Sequence, residues 1–129
     1  VKIGNERVVE ARLNDAEFFW DKDKSRNLFK KISELKSISF FKGLGNYFDK
    51  VQRMRKLGGM ISDELLISKE KVELSASICK TDLTSEIVGE FPELQGIMCG
   101  YFSAYQGFDK DVSLALAEQY LPIGLNSRF

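Results

Sequence analysis

Apolar side chains recur at helical spacing along most of the chain, and this periodicity predicts an all-α fold. The clearest run follows Pro92, where apolar residues return every three or four positions as far as Tyr105. A proline at the first helical position and Gly107 after the last turn are typical helix boundaries. We predict an irregular bundle of about seven helices, with at most one short extended segment, between Ser37 and Phe41.

Caps and glycines predict where the other helices begin and end. Asn5 is the predicted N-cap of a first helix that reaches Asp23. An apolar stripe predicts another helix over residues 44–57, and the Gly58-Gly59 pair would end it. The remaining predicted helical segments cover residues 28–35, 70–80, 82–88 and 109–120.

Small residues form a second stripe on the helix that follows Pro92. Gly96, Gly100 and Ala104 recur four positions apart, a spacing that lets another backbone approach closely. No apolar run approaches the roughly 20 residues that a membrane span needs. The stripe therefore predicts helix packing within a water-soluble domain, which we expect to be cytoplasmic and to cover residues 1–129 as one unit. Because the chain opens on Val1 without an initiating methionine, we expect it to be a fragment of a longer protein.

The charges balance over the whole chain but are unevenly distributed along it. There are 19 basic and 19 acidic residues among the 129. Residues 1–58 hold 14 Lys and Arg against 8 Asp and Glu, whereas residues 59–129 hold 5 against 11. Two interpretations stay open: the halves attract each other, or the first half presents a basic face to an anionic partner.

Histidine is absent, which excludes catalytic and metal sites that depend on imidazole. Cys79 and Cys99 form neither a CxxC motif nor a disulfide framework, so we expect buried thiols.

Asp82, Glu86 and Glu90 recur four positions apart. This spacing would suit a metal or acid–base site, and it would equally suit helix caps and ion-pair partners. Two or three carboxylates without histidine make a weak metal site, so we favour capping and ion pairing. We predict no catalytic residue, no metal ligand and no cofactor in this chain.

Basic residues cluster around the predicted helix 44–57. Clustered charge on a rigid support is what phosphate recognition needs, although a solvated outer face has the same composition. The candidate RNA-binding residues are Lys42, Lys50, Arg53, Arg55, Lys56, Arg7 and Arg12.

Several blocks of sequence together form an ordered signature. The blocks are GNERVV (4–9), ARLNDAEFF (11–19), Leu44-Gly45 with Asp49-Lys50-Val51 and Arg53, CKTDL (79–83), EFPELQGIM (90–98) with Gly100-Tyr101, and YLP (120–122). In this order they resemble the β subunit of bacterial heterotetrameric glycyl-tRNA synthetase. The resemblance covers nearly the whole chain, which is more specific than any single motif.

The resemblance implies a segment of an ATP-dependent glycine–tRNA ligase with α2β2 subunits. In that family the α subunit holds the aminoacylation centre and uses ATP and Mg²⁺, while the β subunit is needed for tRNA recognition. The matched region is similar to HD-type helical domains, which would here be catalytically empty, with Asp82 as a structural or capping remnant. The implied partners are the rest of the β chain, the α subunit and tRNA-Gly. Two roles remain open: supporting tRNA recognition, or packing against the rest of the synthetase without touching RNA.

Overall fold

A computed structural model describes residues 1–127, and its architecture is an irregular all-α bundle, as the periodicity predicts. Three short 3₁₀ helices, at Leu35–Ser37, Thr81–Thr84 and Pro92–Leu94, join the longer elements. The finer expectation of an HD-type domain stays a prediction. Within the described residues the α-helices are α1 (Lys2–Asp23), α2 (Leu28–Glu34), α3 (Tyr47–Leu65), α4 (Lys69–Ile78), α5 (Glu86–Glu90), α6 (Ile97–Tyr105) and α7 (Lys110–Ala117).

The extended segment predicted near Ser37 is half of a small hairpin. Strand β1 (Ser39–Phe41) pairs antiparallel with the two-residue strand β2 (Gly45–Asn46). Gly43 and Gly45 have φ values of 83° and 81°, which side chains other than glycine rarely adopt. The chain therefore reverses tightly just before α3, and the hairpin lies against the beginning of that helix.

Helix α1 begins earlier than predicted. The backbone N–H of Asn5 donates to the carbonyl of Val1 at 3.0 Å, so Asn5 lies inside the first turn and is not the N-cap. No proline precedes it, and the helix continues back through Gly4 to Lys2. Residues 1–15 are all exposed.

The predicted end of the 44–57 helix is wrong, because α3 continues through Gly58 and Gly59 to Leu65. These glycines lie where α4 packs most closely. A Cβ on Gly59 would stand 2.6 Å from Glu73 Oε1, and one on Gly58 would stand 3.0 Å from Val72 Cγ1. The pair therefore provides close helix contact, and most of the segment between the predicted helices 44–57 and 70–80 is helical as well.

The segment after Pro92 is broken where one continuous helix was predicted. A 3₁₀ turn ends at Leu94, and α6 begins only at Ile97, because Gly96 has a φ of 87°. The backbone N–H of Gly96 donates to the buried carboxylate of Asp82. This hydrogen bond supports the expectation that Asp82 has a structural role.

The core lies between α2, α4, α5, α6 and α7. Phe102 is fully buried, and its ring stacks on Trp20 with 5.6 Å between centroids and 6° between planes. Both cysteines are free and buried in this core, as predicted, and burial raises the pKa of each thiol. The other fully buried core residues are Leu28, Leu35, Val51, Ile78, Val112 and Leu116.

The small-residue stripe does permit close approach, at Gly100. A Cβ on Gly100 would lie 2.6 Å from Ala117 Cβ and 2.9 Å from the backbone oxygen of Ser113. We therefore expect Gly100→Ala to lower the free energy of unfolding by about 1–3 kcal/mol, the usual cost of overpacking. Urea denaturation measures this loss.

A matched variant separates packing from helix propensity in the same experiment. Gly4 lies in α1, and a Cβ added there would have no atom within 4 Å. We expect Gly4→Ala to leave stability unchanged or to raise it by up to about 1 kcal/mol. A Gly100→Ala variant that gained stability to the same degree as Gly4→Ala would contradict the close α6–α7 contact.

Candidate nucleic-acid interface

The hairpin and the first half of α3 form one rigid unit. Asn46 caps α3 by accepting the N–H of Asp49 at 2.9 Å, and the Asp49 carboxylate accepts the N–H of Asn46 at 3.1 Å. Behind the turn, Tyr47 N–H donates to the carbonyl of Ile38 at 2.9 Å. These bonds orient the side chains of the hairpin relative to those of α3.

Four of the predicted RNA-binding residues lie on this unit. Lys42 is exposed in the hairpin turn, and Arg53 donates to the backbone oxygen of Leu44 at 3.3 Å, which brings its guanidinium to the same turn. Lys56 follows Arg53 by three residues on α3 and is exposed. Lys50 lies between the helix and the hairpin. We call Lys42, Lys50, Arg53 and Lys56 the hairpin surface.

Lys50 packs over aromatic rings beside the hairpin. Its Nζ lies 4.0 Å from the centroid of Phe40 and 5.8 Å from that of Tyr47. Burial lowers the pKa of this lysine, and the neighbouring positive charges of Lys80 and Arg53 lower it further. Lys50 therefore lies in a locally positive field, and an approaching anion would stabilise the charged form of this lysine.

The cations of the hairpin surface form no ion pairs with the described residues, and the neighbouring Asp49 carboxylate, which keeps its negative charge, caps α3. The charge of this surface is thus available to a ligand.

The other three predicted residues lie elsewhere. Arg55 points towards α4, where its guanidinium is 3.9 Å from the Glu73 carboxylate. Arg12 lies 4.3 Å over the ring of Phe91 and 3.9 Å from Glu90, and Arg7 is on the exposed first half of α1. Spacing on one helix could not reveal these tertiary partners. The structure therefore does not bring these three together with the hairpin surface.

Acidic residues with the spacing of a metal site have structural partners in the fold. Glu86 pairs with Lys22 at 2.7 Å and Glu90 with Arg12 at 3.9 Å, both from the basic half of the chain. Over the described part of the chain, no group of three potential metal-ligating side chains comes together. The interpretation of these acids as ion-pair partners is supported, and the two halves do attract each other here.

Three charged side chains are buried together inside the fold, and the sequence does not reveal them. Asp23, Lys31 and Asp82 are each at most 1% exposed, and each has a side-chain atom with no hydrogen-bond partner in the described chain. The Lys31 Nζ lies 5.3 Å from the centroid of Phe102. Burial lowers the pKa of Lys31, and the negative charge of Asp23 partly opposes this effect. Burial raises the pKa of Asp82. No sequence signal distinguishes these residues from the surface charges around them.

Within residues 1–127, none of the helices combines the length and apolar character needed to cross a membrane.

The fold and the hairpin surface together define a helical domain with a cationic face whose charges form no ion pairs, a class that includes nucleic-acid-binding modules. Comparison with known proteins makes the assignment specific. The sequence model described as glycyl-tRNA synthetase beta subunit matches residues 1–129, and the chain belongs to that family.

Relatives named glycine–tRNA ligase beta subunit match nearly the whole chain. The one from Geotalea uraniireducens is 47% identical over 120 residues, which are 92% of this chain and 17% of that protein. The one from Thermodesulfovibrio yellowstonii is 43% identical over 125 residues, 96% of this chain and 18% of that protein. The one from Acidithiobacillus ferrooxidans is 42% identical over 121 residues, 94% and 17% respectively. The chain thus spans less than a fifth of the length of these relatives.

Proposed function

We propose that this chain supports tRNA recognition during glycyl-tRNA synthesis and that the hairpin surface contacts tRNA phosphates. The observation that carries the proposal is the set of four cations without an acidic partner on one rigid hairpin–helix unit. Membership of the glycyl-tRNA synthetase beta subunit family supports the choice of tRNA as the polyanion. Phosphate contacts of this kind position an RNA without reading its sequence.

The proposal places the reaction centre outside this chain. By resemblance to the family, ATP and Mg²⁺ would bind the α subunit. The partners we propose are tRNA-Gly, the α subunit and the rest of the β chain. This chain would then contribute binding free energy and orientation, and no reacting group.

Reversing the charge of Arg53 or Lys56 is expected to weaken tRNA-Gly binding by the intact synthetase. Each lost phosphate contact should lower the slope of log affinity against log salt concentration by about 1. Lys56→Glu is the cleaner variant, because Arg53→Glu also removes the hydrogen bond to Leu44. Gel-shift titrations at several salt concentrations measure both quantities.

The matched control is Lys110→Glu, an exposed lysine at the beginning of α7. Helix α7 packs on α4 and α6, away from the hairpin. We expect this variant to bind tRNA-Gly with the affinity and salt dependence of the parent. If Arg53→Glu and Lys56→Glu also bound like the parent, the hairpin surface would not be an RNA contact.

The second candidate role, packing within the synthetase without RNA contact, is favoured by α1. Its first half exposes apolar side chains on several sides of the helix, which is typical of a helix covered by neighbouring segments. This role predicts that charge reversal on the hairpin surface leaves RNA binding unchanged. The exposed apolar residues of α1 are Ile3, Val8, Val9, Leu13 and Phe18.

A further inference from the structure

The hairpin presents one aromatic ring to solvent. Phe41, the last residue of β1, is 66% exposed. Its neighbour Phe40 points the other way and packs against Tyr47, with 5.4 Å between ring centroids. Among residues 1–127, the ring of Phe41 takes part in no aromatic pair and lies under no lysine or arginine. Most of the ring surface is therefore exposed and can be reached by a flat partner.

The backbone around Phe41 is held in place from several directions. Its carbonyl accepts the N–H of Leu44 at 2.9 Å, which closes the turn. The turn is then fastened to α3 by Arg53, which donates to the carbonyl of Leu44 at 3.3 Å. A fixed backbone at this position loses little conformational entropy on binding, and such preorganisation favours affinity.

Positive charge lies in the turn that follows this ring. Lys42 follows Phe41 directly, and the guanidinium of Arg53 reaches the same turn through Leu44. Proteins that bind single-stranded nucleic acid combine these same elements, a cationic track for the backbone and an aromatic ring on which a base stacks. Bases inside an A-form helix are stacked on each other and offer no free face to such a ring.

We propose that Phe41 is a stacking platform for an unpaired base of the RNA bound at the hairpin surface. This inference rests on the proposed function and specifies the part of the RNA that is recognised. The cations hold the phosphates on either side of an unpaired nucleotide, and the ring takes its base. A protein segment covering Phe41 is the alternative that the experiment must separate from it.

The experiment compares Phe41→Ala and Phe41→Trp with the parent in the intact synthetase. The probes are a single-stranded RNA oligonucleotide and a blunt duplex of the same length. We expect Phe41→Ala to weaken binding of the single strand about tenfold, the loss of one stacked base, and to leave duplex binding unchanged. The salt slope should stay that of the parent, because no phosphate contact is removed. Phe41→Trp should keep the affinity and show fluorescence quenching on binding.

The control is Phe29→Ala, which removes another exposed ring, on α2, that stacks on Phe108 at 5.4 Å. It should bind both probes as the parent does. Parent-like binding of the single strand by Phe41→Ala, with Lys56→Glu still weakened, would overturn the stacking and leave the proposed function standing. If Lys56→Glu also bound like the parent, the proposed function itself would fail. A Phe41→Ala synthetase that bound RNA normally but assembled poorly would identify the occupant as protein and overturn the inference.

Discussion

Replacing Lys31 with methionine is expected to lower the free energy of unfolding at neutral pH by about 1–3 kcal/mol, the cost of leaving buried polar groups with less compensation. Lys31 is 1% exposed, and its ammonium shares the interior with the carboxylates of Asp23 and Asp82, which are fully buried. Methionine fills a similar volume and keeps apolar contact with Phe102. Asp23 keeps Arg26 as an ion-pair partner at 3.9 Å. The loss would therefore come from two carboxylates that lose a nearby positive charge and from the lost contact between the ammonium and the Phe102 ring, and not from a cavity.

The pH dependence of this loss distinguishes charge from packing. Burial raises the pKa of Asp82 above its ordinary value, and removing the ammonium of Lys31 raises it further. A carboxyl whose folded pKa is raised binds its proton more readily in the folded state. It stabilises the fold at low pH, and that contribution is lost as the pH rises through the folded pKa. The deficit of Lys31→Met should therefore shrink as the pH is lowered from neutral.

Urea denaturation of Lys31→Met and the parent at several pH values provides the measurement. Lys30→Met is the matched control, because it removes an exposed lysine from the same helix. Its free energy of unfolding should lie within about 0.5 kcal/mol of the parent value at every pH. A deficit of Lys31→Met that did not change with pH would show that the ammonium is not the counter-ion of these carboxylates.

The parts of the fold that depend on local sequence were predictable. The helix predicted from residue 109 does begin there, because the Asp109 side chain accepts the backbone N–H of Asp111 in the first turn. The segment predicted over 82–88 is instead a 3₁₀ turn followed by α5, which Ser85 caps. Glycine is harder to interpret, since Gly58 can end a helix or admit a neighbour. Which of the two applies depends on Val72 in α4, a residue 14 positions away that no local pattern connects to it.

The same distinction explains which functional residues could be recognised. Lys42, Lys50, Arg53 and Lys56 lie within 15 consecutive positions on one hairpin and one helix, so local periodicity sufficed to group them. Arg55 belongs to the same stretch, but its ion pair with Glu73 comes from helix packing. The buried position of Lys31 was not foreseeable either, because lysine is almost always exposed and only the complete fold surrounds it with Asp23 and Asp82.

Replacing Phe102 with alanine is expected to lower the free energy of unfolding by about 3–5 kcal/mol, as for other fully buried phenylalanines. The ring is 0% exposed and fills the space between Trp20, whose ring is 5.6 Å away, and the ammonium of Lys31, 5.3 Å away. Removing it leaves a cavity and deprives both neighbours of their contact. Trp20 is the only tryptophan in the chain, so its fluorescence reports the change directly.

Tyr105→Ala is the control for Phe102→Ala, because Tyr105 also touches Trp20, with centroids 6.0 Å apart, but is 55% exposed. Its loss should cost about 1 kcal/mol, the value of an aromatic pair without a cavity. Phe102→Ala should also be non-additive with Lys31→Met, since the two residues are in contact. Once the ring is gone, the ammonium of Lys31 has lost its aromatic neighbour. The loss of unfolding free energy caused by Lys31→Met should therefore be smaller in the Phe102→Ala variant than in the parent. Strict additivity of the two losses would contradict the contact between this ring and the ammonium.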